Sequence, residues 1–316
     1  MTNALKLFIV IPCYNEQDAL PLTAQKLLDK MNALIENNTI TSDSRIVFVD
    51  DGSKDKTWSF IAAMHKANPM FSGIRLSHNK GHQNALLAGM MTVRNDCDAV
   101  ISMDADLQDD INAIDKMLAH YADGCDIVYG VRSQRTTDTA FKKNTANAFY
   151  KMMKLMGVEI IDNHADYRLM SARALEALAE YDEVNLFLRG IVPMLGFKTA
   201  TVEYERGKRV AGETKYPLQK MISFALEGIT SMSIKPIRLV SSLGFFIFAV
   251  SIAMLLYSLL RHFTGATIQG WTSTVVSIWA IGGLQLLAIG VIGEYIGKIY
   301  LETKHRPKYI IEEYLQ

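Results

Sequence analysis

The sequence has little cysteine, no excess of either charge and no glycine-rich phosphate-binding signature. Its three cysteines, Cys13, Cys97 and Cys125, are too few and too scattered for a disulfide framework or a zinc site. Its 33 basic and 33 acidic residues give a net charge of zero, which argues against a nucleic-acid-binding protein. The absence of G-x-G-x-x-G after the first predicted strand disfavours a dehydrogenase-type dinucleotide fold, and the absence of G-x-x-x-x-G-K-[ST] excludes a P-loop NTPase. No signal peptide is predicted, because the first apolar run is short and lacks a basic start.

Two long uncharged runs occupy the last third of the chain. Leu239–Leu260 has 22 residues, and as a helix it would span roughly 33 Å, enough for a bilayer core of about 30 Å. Trp271–Gly293 is the second run, and Arg261–Gly270 joins the two. They predict a transmembrane hairpin; the alternative is a buried helical pair in a soluble core. Basic residues flank its outer ends, including Lys235 and Lys298, so both termini and the N-terminal region are expected in the cytoplasm.

A helical periodicity precedes the hairpin. In Tyr216–Lys235, apolar residues recur at i, i+3, i+4 and i+7, and Pro236 follows. The pattern predicts an amphipathic helix lying on the membrane surface. A core-facing helix of the preceding domain is the alternative.

Strand and helix patterns alternate over the first 130 residues or so of the chain. The predicted strands are Leu5–Ile11, Arg45–Val49, Gly73–Leu76, Ala99–Met103 and Asp126–Gly130. The predicted helices are Ala19–Ile35, Thr57–Ala67, Gln83–Arg94 and Ile111–Tyr121. This order predicts an α/β domain with a mostly parallel sheet and helices on both faces. Ligands bind such sheets at the carboxyl ends of the strands.

Acidic residues follow the predicted strand Ala99–Met103. Asp104, Asp106 and Gln108 share one parity, so in an extended segment their side chains would face the same way. Two carboxylates and an amide oxygen are hard ligands that suit Mg²⁺ or Mn²⁺. A divalent ion on such ligands typically holds a substrate diphosphate and neutralises charge on a leaving group. Acidic pairs at strand ends are also common without metal, so the other motifs are needed for this interpretation.

Five short motifs follow one another in a characteristic order. They are Pro12–Glu16 (PCYNE), Val49–Ser53 (VDDGS), Asp104–Gln108 (DADLQ), Ala165–Leu169 (ADYRL) and Arg209–Pro217 (RVAGETKYP). With the two apolar runs, they resemble family 2 glycosyltransferases of the GT-A fold, in particular polyprenyl-phosphate glycosyltransferases such as bactoprenol glucosyltransferases and dolichyl-phosphate mannose synthases. The resemblance covers essentially the whole chain. It implies a Rossmann-like GT-A domain at 1–214, a juxtamembrane amphipathic helix at 215–236, two transmembrane helices within 237–300 and a cytoplasmic tail at 301–316.

The resemblance also implies roles for individual residues. Nucleotide-sugar binding falls to Pro12, Tyr14, Glu16, Asp51 and Asp104. The metal ligands are Asp104, Asp106 and Gln108, and lipid-phosphate binding falls to Arg132, Arg209 and Lys215. Asp166 matches the family's catalytic carboxylate. A lipid phosphate is already anionic near neutral pH, so Asp166 acts either as a base or as an orienting group. A structural ion pair with Arg168 is a further alternative, and the sequence leaves all three open. His82 and His164 are expected to be structural.

Together these observations predict an inverting transferase. It would move glucose or N-acetylglucosamine from a UDP-sugar to undecaprenyl (polyprenyl) phosphate at the cytoplasmic face of the plasma (inner) membrane, for cell-envelope glycan modification. One alternative is a membrane-tethered regulatory protein with an inactive transferase domain. Another is a processive polysaccharide synthase, against which the two spans and the lack of Q-x-x-R-W argue. The resemblance suggests a homotetramer, and two spans are few for lipid translocation, so a separate flippase is the expected partner.

Overall fold

The computed structural model describes most of the chain as strands and helices of one α/β arrangement. The described residues are 4–133, 151, 153–157, 161, 164–205, 207, 228–263 and 270–316. Their strands are β1 (Leu7–Cys13), β2 (Arg45–Asp50), β3 (Phe71–Leu76), β4 (Ala99–Ser102), β5 (Ile127–Arg132), β6 (His164–Ser171), β7 (Thr199–Tyr204) and β8 (Ile311–Leu315). Their helices of seven residues or more are α1 (Leu20–Glu36), α2 (Thr57–Ala67), α3 (His82–Val93), α4 (Ala113–Ala122), α5 (Ala172–Ala179), α6 (Leu188–Met194), α7 (Lys235–Phe263) and α8 (Trp271–Thr303).

The strands form one mostly parallel sheet. Its order is β7-β5-β6-β4-β1-β2-β3-β8. β1 pairs in parallel with β2 and β4, β2 with β3, and β5 with β7. β6 runs antiparallel between β4 and β5, and β8 runs antiparallel along β3. The predicted α/β fold with a mostly parallel sheet is confirmed.

The core lies on both faces of the sheet, as the unbroken apolar sequence of β1 requires. Successive side chains of a strand point to opposite faces. Leu7, Ile9 and Ile11 therefore pack with α1, α2 and α4, whereas Phe8 and Val10 pack with α3, α5 and α6. All seven residues of β1 are buried.

Three strands were not predicted from the sequence. β6 and β7 follow the last predicted strand, and β8 comes from the segment 301–316 that the sequence suggested to be a tail. β8 is held to β3 by ladder pairing and by a hydrogen bond from Ser72 Oγ to the carbonyl oxygen of Leu315 (2.5 Å). The C-terminal strand is therefore part of the same sheet as the N-terminal domain, a feature that the division of the chain into separate domains did not include.

The two predicted apolar helices are present and longer than their uncharged runs. α7 begins at Lys235 and α8 ends at Thr303. By length and composition, both are apolar enough to cross a membrane, and none of their apolar windows is buried inside the protein. Large apolar side chains such as Phe245 (73% exposed) and Leu286 (73% exposed) cover their surfaces. Exposed apolar surface on this scale is typical of helices that contact lipid or a protein partner. Most of Tyr216–Lys235, the predicted amphipathic helix, lies outside the described residues.

Candidate active site

The site lies at the edge of the sheet where the parallel strands end. Because β6 runs antiparallel to β4, its first residues lie beside the end of β4, where Ser102 pairs with Arg168. Ser102 Oγ also donates a hydrogen bond to the carbonyl oxygen of Asp166 (2.5 Å). This reversal brings Asp166 to the same edge as the loop that begins at Asp104.

The carboxylate of Asp166 is surrounded by cationic side chains. It is only 8% exposed. Arg168 Nη2 donates to Oδ1 (2.8 Å), and Arg189 donates through Nε to Oδ1 (3.2 Å) and through Nη2 to Oδ2 (3.0 Å). Burial alone would raise the pKa of Asp166, but hydrogen bonding with His82 and the charges of both arginines hold that pKa well below its usual range. Such a carboxylate stays ionised near neutral pH and is a poor proton acceptor.

His82 connects the two acidic parts of the site. Its Nε2 lies 3.5 Å from Oδ2 of Asp166 and 3.6 Å from Oδ1 of Asp104. Burial would lower the pKa of His82, but hydrogen bonding to Asp166 and the charges of both carboxylates raise it above its ordinary value. The expectation that His82 is only structural misses this position. His164 is consistent with a structural role, because it is buried and its Nδ1 lies 2.7 Å from the carbonyl oxygen of Ile161.

The loop after β4 is a tight acidic turn. Leu107 adopts a left-handed conformation (φ 56°), and the main-chain N–H of Gln108 donates to Asp106 Oδ1 (3.1 Å). The side chain of Asp104 is 33% exposed, whereas Asp106 and Gln108 are 7% and 8% exposed. Burial, together with the neighbouring carboxylates, raises the pKa of Asp104 to about 6 against the opposing charge of His82.

These residues fit part of a cation site. Among the described residues, no group of three or more His, Cys, Asp or Glu side chains is arranged to hold a metal ion. Mg²⁺ usually takes one or two carboxylates and completes its shell with water and substrate phosphates. Asp104, Asp106 and Gln108 supply donors of that kind. The pKa of Asp104 is raised first by burial and further by neighbouring carboxylates, whose negative charge a cation would neutralise. The donor set therefore suits a cation shared with a diphosphate, rather than a complete protein cage.

A second polar cluster supports the acidic turn from the β5 side. Tyr204 Oη donates to Asp109 Oδ1 (2.5 Å), and Asp109 is 2% exposed. Arg132 Nε donates to Tyr204 Oη (3.3 Å), and Arg132 Nη2 lies 3.6 Å from Asp109 Oδ1. Arg132, a predicted phosphate-binding residue, is thus fixed at the site with 28% of its side chain exposed.

Asp51 fixes the turn that leads into α3. Its oxygens accept hydrogen bonds from the main-chain N–H groups of Lys80 (2.7 Å) and Gly81 (2.9 Å). Gly81 has φ +86°, which side-chain-bearing residues rarely adopt, and His82 follows directly. Burial raises the pKa of Asp51 despite these bonds. In the structure this carboxylate positions the backbone before His82; its contact with a nucleotide stays a prediction.

The remaining predicted nucleotide-binding residues lie where β1 ends. Pro12 is buried within β1, Tyr14 is 42% exposed, and the N–H of Glu16 donates to Thr57 Oγ1 (3.0 Å). A further bond joins the N–H of Asn15 to Ser53 Oγ (2.9 Å), so the loops after β1 and β2 are held together. They form a polar surface beside the Asp51 turn, and their binding role stays a prediction.

The structure brings most of the predicted site residues to one edge and adds others. Arg209 and Lys215 lie outside the described residues. The site residues that the sequence analysis missed are His82, Asp109, Arg189 and Tyr204. The pattern offers little signal for them, because each comes from a different element and is isolated in sequence. Asp109 is the exception, since it directly continues the acidic motif Asp104–Gln108.

The apolar helices join the domain close to this site. Tyr295 Oη donates to the carbonyl oxygen of Ser233 (2.5 Å), and Lys298 Nζ donates to Ser231 Oγ (2.8 Å). Near the end of α8, Glu302 Oε1 accepts the main-chain N–H of Asn185 (2.9 Å). Asn185 precedes by a few residues the helix α6, which carries Arg189.

The fold is an α/β domain with a charged site at the carboxyl edge of its sheet, and comparison with known proteins gives its family. The profile of glycosyl transferase family 2 matches residues 8–179. The chain is 53% identical over 306 residues to the uncharacterized glycosyltransferase YkoT of Bacillus subtilis (strain 168), covering 97% of this chain and 91% of that protein. It is 39% identical over 313 residues to the bactoprenol glucosyl transferase of Shigella phage SfV, covering 98% of each. The protein belongs to glycosyl transferase family 2.

Solved structures share its general arrangement at low identity. The mannosyltransferase PcManGT from Pyrobaculum calidifontis, in complex with GDP-Man and Mn²⁺, is 14% identical with a TM-score of 0.44, over 93% of this chain and 88% of that one.

Proposed function

We propose that this protein transfers a hexose, glucose or N-acetylglucosamine, from a UDP-sugar to a polyprenyl phosphate at the cytoplasmic membrane face. The observation that supports this most is the Asp104–His82–Asp166 cluster at the edge of the sheet of a family 2 transferase. In addition, Glu302 of the apolar helix α8 is hydrogen-bonded to Asn185, three residues before the helix that carries Arg189. An acceptor held in lipid must react close to the membrane, and this arrangement supplies that proximity. The name of the phage relative, a bactoprenol glucosyl transferase, supports the same acceptor class.

In the proposed reaction, an oxygen of the acceptor phosphate attacks the anomeric carbon of the sugar. The bond from that carbon to the diphosphate oxygen breaks, the nucleoside diphosphate leaves with the electron pair, and the anomeric configuration inverts. A cation held by Asp104, Asp106 and Gln108 would stabilise negative charge on the diphosphate. The acceptor oxygen is already ionised near neutral pH, so the reaction requires little base catalysis.

In this mechanism Asp166 is an orienting residue. Its low pKa keeps it anionic, so it holds Arg189 and His82 in fixed positions rather than accepting a proton. The side chain of Arg189 is 34% exposed, so its guanidinium is proposed to contact the anionic acceptor as well as Asp166. Arg132, which contacts Asp109 and Tyr204, is proposed to bind a phosphate as well, together with Arg209 and Lys215.

The membrane arrangement follows from pairing of the last strand. β8 and the N-terminal strands belong to one sheet, so the segments before α7 and after α8 would lie on the same side of a bilayer crossed by both helices. The basic residues that flank the pair favour the cytoplasmic side. A homotetramer and a separate flippase stay predictions.

The test is sugar transfer by the full chain in detergent. Radiolabelled UDP-glucose and UDP-N-acetylglucosamine are offered separately with undecaprenyl phosphate and Mg²⁺ or Mn²⁺, and the lipid-linked product is extracted and counted. We expect product from one donor, lost in Asp106→Ala and Asp166→Ala and kept in the control Asp115→Ala, whose side chain is 55% exposed. No lipid-linked product from either donor would contradict the proposal and favour an inactive tethered domain. Product that persists in Asp106→Ala would contradict the metal assignment.

A further inference from the structure

The segment 181–189 links the end of the second apolar helix to the catalytic edge. It begins at Tyr181, whose carbonyl oxygen accepts a hydrogen bond from Lys308 Nζ (2.7 Å). It ends at Arg189, the second residue of α6, whose guanidinium donates two hydrogen bonds to the carboxylate of Asp166. A displacement of this segment would therefore move the guanidinium of Arg189 relative to Asp166.

Glu302 holds the middle of this segment. Its Oε2 accepts the main-chain N–H of Val184 (2.9 Å), and its Oε1 accepts both the main-chain N–H and the Nδ2 of Asn185 (each 2.9 Å). One carboxylate thus binds two consecutive backbone amides and one side-chain amide, which are 117 or 118 residues away in sequence. Hydrogen bonds to an ionised acceptor are stronger than neutral ones.

The far end of the segment is anchored to the catalytic helix α3. The main-chain N–H of Leu188 donates to Gln83 Oε1 (2.9 Å). Gln83 directly follows His82, which lies between Asp104 and Asp166. Leu188 is fully buried, so this end has no room to shift independently. Arg189 is consequently placed by two anchors, one on α3 and one on the end of α8.

We propose that Glu302 is a positioning residue for the transfer reaction, which fixes Arg189 against Asp166 by binding the backbone at Val184 and Asn185. This inference rests on the proposed function, because it assigns the contact between Arg189 and Asp166 a role in the same transfer reaction. The role suits a transferase with a lipid-borne acceptor. Through the backbone at Val184 and Asn185, Glu302 connects Arg189, the proposed acceptor-binding residue, to helix α8, which would cross the membrane.

The expected effect is on turnover rather than on donor binding. A misplacement of about 1 Å at a reacting centre can cost roughly 100-fold in rate. We expect Glu302→Ala to lower kcat about 10- to 100-fold and Glu302→Gln to lower it less, since the amide keeps one oxygen acceptor. The KM for the nucleotide sugar should stay within about threefold, because the donor loops follow β1 and β2. The matched control is Glu313→Gln, a change of the same kind at an exposed residue of β8.

Two measurements separate positioning from simple destabilisation. The first is a double-mutant cycle with Arg189→Ala: if Glu302 acts through Arg189, adding Glu302→Ala to Arg189→Ala lowers kcat by less than about twofold. Multiplied effects of the two changes would overturn the proposal. The second is hydrogen exchange of the full chain in detergent, followed on peptides that contain Val184 and Asn185.

We expect slow exchange at these two amides in the wild type and at least tenfold faster exchange in Glu302→Ala, with exchange of β1 unchanged. Equal exchange in both proteins would overturn the anchoring, whatever the activity. Faster exchange throughout the domain would also overturn the proposal, because Glu302 would then support the whole fold. If the wild type transfers no sugar from either donor, the proposed function and the role in turnover fail together, while the exchange result still decides whether Glu302 anchors the segment.

Discussion

The ion cluster around Asp166 predicts a large and specific loss of stability when its charge is removed. Arg168 is 1% exposed, and among the described residues Asp166 is the one carboxylate that forms a salt bridge with it. Asp166→Asn keeps the shape of the side chain but leaves a buried guanidinium without a counter-charge. Breaking a buried pair in this way costs about 3–5 kcal/mol. For a domain of roughly 150–250 residues, that corresponds to a decrease in Tm of about 6–20 °C.

The assay is thermal unfolding of the purified chain in detergent at pH 7. The control is Asp126→Asn, because Asp126 pairs with Arg173, whose side chain is 68% exposed and can be solvated by water when the charge is lost. We expect a much smaller decrease in Tm for the control. A decrease for Asp166→Asn no larger than that of Asp126→Asn would refute the reasoning that Arg168 depends on Asp166.

The same variant gives a pH dependence with a definite sign. The folded-state pKa of Asp166 is held well below its usual value of 3.8, so its stabilisation is present above that value and is lost as pH falls below it. The difference in stability between wild type and Asp166→Asn should therefore be full near pH 5 and decrease below about pH 4. It should also decrease as pH rises through the raised pKa of His82, because Asp166 stabilises the charged form of that side chain. A difference that decreases as pH falls from about 7 to 5 would show that the carboxylate titrates in the range of a general base.

Three further predictions concern a buried base, a helix contact and the cation. Burial lowers the pKa of His164 from 6.5 to about 4, so acidification through that range should cost wild type up to about 3 kcal/mol, and His164→Asn should flatten this part of the pH-dependent Tm. Gly89→Ala would place a methyl 2.4 Å from Val10 Cγ1 and should destabilise the domain by about 1–3 kcal/mol, whereas Gly282→Ala, with nothing within 4 Å of its added carbon, should leave Tm unchanged. Treatment with EDTA should abolish sugar transfer and Mn²⁺ or Mg²⁺ should restore it; full activity in EDTA would contradict cation binding by Asp104 and Asp106.

Much of the fold could be predicted because local patterns coincide with tertiary burial. The run at β1 is apolar throughout because the strand is buried on both faces, and α1 shows helical periodicity because one side packs on the sheet. β6 was missed because Asp166 and Arg168 interrupt its apolar pattern with charge. A central strand that carries an ion pair does not have the sequence of a buried strand. β8 was missed because an edge strand gains its pairing from a distant neighbour, β3.

Prediction of the site succeeded and failed for a related reason. The Asp104 and Asp166 motifs could be found because several chemically informative residues adjoin in sequence. His82 and Arg189 are single residues of ordinary helices, and only the position of α3 and α6 over the start of β6 brings them within 3.6 Å of these carboxylates. The sequence does not show these contacts. It therefore could not predict the low pKa of Asp166 or decide between a base and an orienting group.

The sequence by itself determined the α/β class, the two apolar helices and the acidic motifs, since each depends on residues that are neighbours along the chain. The tertiary structure alone decided which charges meet. It placed antiparallel β6 beside β4, surrounded Asp166 with two arginines and His82, and joined Glu302 to Val184 across 118 residues. The physical reason is that electrostatic interactions depend on distance and burial in space, and these are set by the packing of whole elements rather than by the order of residues.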